Sequence, residues 1–93
     1  MLAGARIELF LPACRNLKEK RAIVKSILGK LRSRFNVSTA EVACQEQWQR
    51  AVLGIAAVAN EWSFLQEQIQ AAVRLVENHP GVELIRADTE YYD

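Results

Sequence analysis

Residues 51–59 read AVLGIAAVA, nine positions without one polar side chain. No other stretch narrows the fold so far. A strand that is apolar on both sides belongs in the interior of a sheet, where neighbouring elements cover it. The run is also far short of the roughly 20 apolar residues that a helix needs to cross a bilayer. WQRAVLGIAAVAN, 48–60, is therefore predicted as a central strand.

The flanking sequence supplies its neighbours. AGARIELFL, 3–11, places Ala3, Ala5, Ile7, Leu9 and Leu11 on one face, the period-two signature of a half-buried strand, and Pro12 ends it. Asn16 with Glu19 three residues on forms a capping-box-like pair at a helix start. Leu17, Val24, Ile27, Leu28, Leu31 and Phe35 follow at helical spacing, and Asn36 is a stop. NVSTAEVAC, 36–44, is rich in β-branched residues and predicts a strand, with QEQ, 45–47, as the turn to the apolar one. A second helix runs over 62–78 on a stripe of Leu65, Ile69, Ala72, Val73 and Val76, and His79-Pro80-Gly81 stops it. VELIRAD, 82–88, is a fourth strand, and TEYYD is left as a polar aromatic tail.

The order is βαββαβ. Two right-handed crossovers around a central hairpin give a ferredoxin-like α+β two-layer sandwich: four antiparallel strands in order 4-1-3-2, with both helices on one face. At 93 residues this is one domain, able to bury roughly 60–65% of its unfolded surface. The first ten residues carry Arg6 and Glu8 and lack a basic region followed by an apolar stretch, so no signal peptide is expected and the cytoplasm is the expected location.

Charge is split along the chain. Residues 1–35 hold nine Lys/Arg and two acids, +7, whereas residues 36–93 hold three and nine, −6, for a whole of +1. The split points to an anionic partner or to mutual neutralisation of the two halves. Lys18, Arg21, Lys25 and Arg32 fall on one stripe of helix 1, Lys20, Lys30 and Arg34 widen it, and Arg15 sits at its mouth. Such a stripe can neutralise several phosphates of a nucleic acid. It can also be a solvated face, and helix 2 brings Glu67 and Glu77 alongside as internal counter-charges.

No catalytic constellation is visible. An RNA-recognition motif stacks bases on aromatics of strands 1 and 3. Here strand 1 offers only Phe10, and Trp48 stands at the very start of strand 3. An acylphosphatase needs a glycine-rich cradle after strand 1 and an asparagine on strand 3. PACRNLK has no glycine, and Asn60 lies at the end of its strand. Cys14 and Cys44 fit no metal spacing and no CxxC motif. They follow strands two positions apart, about 9.5 Å, too far for a disulfide. Cys14 lies near the start of a basic helix, a place that can lower a thiol pKa, but no His or carboxylate is arranged nearby to make it a nucleophile, and silent free thiols are the expectation. His79 is a helix-end residue, no metal or cofactor is expected, and Arg50, Glu41 and Glu46 are candidates for ion pairs around the hairpin.

With both helices on one face, one side of the apolar strand faces outward. A three-residue turn puts Glu41 on the face of Ala51, Leu53 and Ile55 and favours Leu53 and Ile55 as the open set, while a bulge reverses this. An exposed apolar strip commonly marks association. A sheet-to-sheet homodimer through Phe10, Val52, Leu53, Ile55, Ala56 and Val58 is the expectation.

LKEKR at 17–21, FNVSTAEV at 35–42 and WQRAVLGIAAVAN at 48–60 resemble the YlxP-like family of small bacterial proteins of unknown function, and NHPGVELI at 78–85 is similar too. The resemblance spans essentially the whole chain. It implies a ferredoxin-like fold. The family's genes often sit among translation and ribosome-maturation genes, which implies a link to structured RNA or the ribosome. The family brings no established catalytic residues. Lys18, Lys20 and Arg21 belong to its motif, and Asn36, Glu41, Gln49 and Asn60 fall in the similar stretches without an assigned role. The expectation is a non-catalytic RNA- or ribosome-associated accessory factor. The alternative is a homodimeric protein-interaction module with no nucleic-acid role.

Overall fold

A computed structural model describes residues 1–92. The elements are β1 (Leu2–Phe10), α1 (Leu17–Arg34), β2 (Ser38–Ala43), β3 (Arg50–Val58), α2 (Trp62–Glu77) and β4 (Glu83–Tyr92). The strands form one antiparallel sheet in the order β2-β3-β1-β4, the expected order read from the other edge. The two most apolar strands are the two central ones, because only there are both edges hydrogen-bonded to neighbours. Together with the two helices this is the ferredoxin-like sandwich.

The core lies between the sheet and the helices. Ala3, Ala5, Ile7, Leu9 and Leu11 of the first segment meet Ala51, Leu53, Ile55 and Ala57 of β3. Val24, Ile27 and Leu31 of α1 and Leu65, Ile69, Ala72 and Val76 of α2 close over them. Each large aliphatic side chain buried there contributes about 1.5–3 kcal/mol. Ser26 lies beside His79 while Gln68 reaches the Asn36 carbonyl, so the two helices run antiparallel.

The helix ends follow local chemistry. The Asn16 side chain accepts from the Glu19 N–H at 2.9 Å. The Glu19 carboxylate reaches back to the Arg15 N–H at 2.8 Å, one residue before the cap. The box is therefore one residue wider than the usual reciprocal pair. α1 ends at Phe35, whose extended backbone leaves the helix while its N–H still donates to Leu31 O. α2 ends at Asn78, and Gly81, at φ +86°, makes the turn that a side chain would strain.

Two elements differ from expectation. β4 continues to Tyr92 instead of ending at 88, because its pairing with β1 runs on to Leu2; a bulge at Ile85 resets the alternation after Leu84, so that Ala87, Thr89 and Tyr91 share the face of Ile7, Ala5 and Ala3. The last residue of the expected tail, Asp93, lies outside the described residues. The β2–β3 hairpin carries a bulge: Glu41 faces Leu53 and Ala43 faces Val52, with Val42 extra. Glu41 does share the face of Leu53, as the turn implied, but that face is the inner one. Leu53 and Ile55 thus belong to the core and not to the open side.

Candidate nucleic-acid interface

α1 exposes Lys18, Arg21, Lys25, Lys30 and Arg34, and none of them forms a salt bridge among the described residues. Lys18 and Arg21 are three apart, and Arg21–Lys25 and Lys30–Arg34 are four apart. Like charges at these spacings lie about 5–6 Å from one another and each pair disfavours the isolated helix by roughly 0.2–0.5 kcal/mol. Glu67 and Glu77 of α2 do not relieve this charge, since neither pairs with it.

The other three cations of the expected stripe differ. Arg15 is exposed and approaches Glu19 at 3.8 Å, a contact across one helical turn that solvent screens. Arg32 is exposed but tied, its guanidinium donating to the Thr39 carbonyl on β2 at 2.9 Å. Lys20 is not on the surface at all.

Lys20 is 0% exposed and points inward with Val24, Ile27 and Leu31. Its ammonium lies 2.7 Å from Glu41 Oε2 and donates to the carbonyls of Cys44, at 2.5 Å, and Gln45, at 3.3 Å. Glu41 Oε2 itself accepts no well-aligned hydrogen bond, so charge at contact distance holds that arm of the group. Two carbonyl acceptors and a carboxylate charge at contact distance surround the ammonium, the compensation that a buried lysine requires. The Cys44 backbone is left-handed, at φ 62°, and its carbonyl also accepts from the Gln47 N–H. Lys20 thus clasps the bulge and the turn after it to the first turns of α1. Arg50, expected near Glu41, instead pairs with Glu8 at 2.8 Å.

At the same end of the molecule the Gln49 side chain donates to the carbonyls of Pro12 and Cys14. Cys14 is buried, and both cysteines are free thiols. Burial pushes the Cys14 thiol up, Glu19 pushes the same way, and Lys20 opposes them. The lowering that a basic helix start can give does not prevail, because burial in this loop outweighs the lysine charge.

The helix layer also carries a cation that the α1 stripe does not reveal. Arg74 of α2 and His79 after it stand beside Lys30 and Arg34 across a groove of about 390 Å³. Arg74 was hidden in the sequence because it sits in the acidic half, and only the antiparallel packing brings it to α1.

The open face of the sheet is of another kind. Gly4, Ala40, Gly54 and Ala56 floor a shallow saddle. A Cβ on Gly54 would stand 3.0 Å from Cγ1 of Val42, so the bulge residue leans over that glycine. Phe10 is half-buried on this side, Val52 faces it yet is 2% exposed, and Ala56 and Val58 are exposed. Arg50–Glu8 and Arg86–Asp88 are closed ion pairs. Phe10 and Trp48 line one shallow pocket at one end of this face and Tyr92 stands at the other end, so its aromatics lie away from the middle of β1 and β3, where an RNA-recognition motif stacks bases.

Among the described residues no helix is long and apolar enough to cross a membrane. The profile of a protein family of unknown function, DUF503, matches residues 2–89. The uncharacterized protein YlxP of Bacillus subtilis (strain 168) is 34% identical over 92 residues, spanning 99% of this chain and 100% of that protein. The chain belongs to the DUF503 family.

Proposed function

We propose that this DUF503 member is a non-catalytic accessory factor that docks on structured RNA, in or around the ribosome, through its helix layer. The observation that carries the reading is the row of Lys18, Arg21, Lys25, Lys30 and Arg34, exposed and in no salt bridge among the described residues. Like charges held within a Debye length of about 8 Å repel, and counter-ions released on docking against phosphates supply the driving force. None of these side chains is held in a planar fork aimed at a base edge, so contact is with the backbone and sequence preference is weak.

The test is co-sedimentation with ribosomal particles at low and at moderately high salt. The wild type is expected to co-sediment at low salt only. The triple variant Lys18→Glu, Arg21→Glu, Lys25→Glu, with unchanged thermal unfolding, is expected to stay in the supernatant. Binding by the triple variant equal to wild type, or no co-sedimentation at low salt, removes this reading.

A second reading concerns the sheet. Five large apolar side chains, Leu2, Val42, Val58, Ile85 and Tyr92, are exposed on its open face, with Val58 at 67%. We infer that a second copy of this chain covers them. Beyond its closed ion pairs the face carries Arg6, Glu83 and Glu90 without an ionic partner among the described residues, so charges of both signs are left for its own copy. The helix layer, by contrast, repels its own copy. Sedimentation equilibrium should give a dimer for wild type and a monomer for Ala56→Arg. A monomeric wild type at about 100 μM would overturn the assignment.

A further inference from the structure

We infer that the groove between α1 and α2 seats a phosphate group, held by Lys30, Arg34 and Arg74. The inference deepens the RNA reading and rests on it only for what carries the phosphate.

Lys30 and Arg34 stand one turn apart on α1, and Arg74 and Asn78 stand one turn apart on α2. The antiparallel packing sets these two pairs on opposite walls of one groove. No carboxylate lines it. Its floor is apolar, made by Phe35, Ala71 and Leu75. A concave site with one sign of charge on its rim and a low-dielectric floor concentrates the field on whatever enters.

The cations are free for a ligand. Lys30, Arg34 and Arg74 make no salt bridge among the described residues. Residues 36–93 hold three cations, and Arg50 and Arg86 are both engaged in ion pairs on the sheet. Arg74 is the one of the three that stays unmatched, and it is the one that faces α1. Two guanidiniums and an ammonium suit the tetrahedral oxygens of a phosphate, which an arginine fork meets with two parallel bonds. The last turn of α2 opposes an anion with about half a negative charge, which three full cations outweigh.

His79 forms the end wall. Its Nδ1 lies 2.8 Å from the Pro80 carbonyl, which only accepts, so Nδ1 carries the proton and donates. Nε2 stands 3.3 Å from the Ser26 hydroxyl on the other side of the ring. The ring is held from both sides and orients the turn, leaving the charged contacts to the lysine and the arginines.

Two-dimensional NMR with inorganic pyrophosphate tests the seat without any RNA. Saturable amide shifts confined to residues 30, 34, 71–75 and 78–79 are expected in wild type and in Arg21→Glu. They are expected to vanish in Arg74→Glu and weaken in the milder Arg74→Gln, both checked for folding by thermal melting. Shifts that never saturate, or that spread over Lys18, Arg21 and Lys25 alike, overturn the seat. A generic RNA hairpin then identifies the carrier. A loss of affinity of about tenfold or more in Arg74→Glu assigns the phosphate to an RNA backbone. Unchanged RNA affinity with pyrophosphate binding lost assigns the groove to a small phosphorylated molecule, and leaves the RNA reading to its own co-sedimentation test.

Discussion

The two sides of α1 put the same residue type to opposite uses. Lys18 and Lys20 stand two positions apart in LKEKR, and a helix turns about 200° between them. Lys18 is in solvent, whereas Lys20 is sealed under the sheet's hairpin with two carbonyls and the Glu41 carboxylate around its ammonium. Charge type therefore says little about role in this helix. Position relative to the apolar stripe says nearly everything: Leu17, Lys20, Val24, Ile27 and Leu31 recur at spacings of three and four. The inward side is a structural clasp, and the outward side is a surface whose charges the fold leaves unmatched.

Removing the clasp is the severest way to break this contrast. Lys20→Ala leaves the mostly buried Glu41 without its counter-charge, the Gln45 carbonyl without the lysine donor, and the Cys44 carbonyl with only the Gln47 N–H. Urea unfolding should show a loss of about 3–5 kcal/mol. A loss under about 1 kcal/mol would mean that water or another group replaces the ammonium readily. Removing both charges should hurt much less. Lys20→Met with Glu41→Leu is expected to lie within about 1–2 kcal/mol of wild type, because no uncompensated charge stays buried.

Milder changes sharpen the outward side. Asn16→Ala deletes the bond to the Glu19 N–H and should cost about 1 kcal/mol in the same unfolding curves. Lys18→Ala should fall within about 0.5 kcal/mol of wild type, the ordinary range for a surface side chain. A large cost there would show that the outward stripe also holds the fold together.

The smallest effect lies at alkaline pH. The Cys14 thiol holds its proton more tightly in the folded chain than in the unfolded one, where it titrates near 9.0. The unfolded state therefore loses the proton first. Stability from this group is complete below about pH 9 and declines as pH rises from there through the folded value. Chemical unfolding at a series of alkaline pH values should show a decline that Cys14→Ala flattens. An identical decline in that variant would assign it to other groups.

Much of the architecture is legible in particular residues. Ala3, Ala5, Ile7, Leu9 and Leu11 alternate, the helical stripes repeat at three and four, and Asn16 caps where it should. The hairpin was less legible. Glu41 read as an outward residue because a lone acid on a core face is costly. Its partner sits 21 positions earlier on another element, and no local rule links them. The signal was nevertheless present as two polar residues of opposite charge, each occupying an inward position of its own apolar pattern. Gln49, another residue of the similar stretches, likewise turns out to hold backbone, the carbonyls of Pro12 and Cys14.

The amino-acid order by itself determined the succession of strands and helices, their polarity and the basic character of α1, because side-chain periodicity and capping act over a few neighbouring residues. Only the tertiary structure decided which cations are working surface. Packing α2 antiparallel to α1 brought Arg74 to Lys30 and Arg34, and folding the bulged hairpin under α1 drew Lys20 inside. Both outcomes depend on contacts between residues far apart in the chain. Burial and electrostatic matching are properties of such contacts, and periodicity along the chain does not record them.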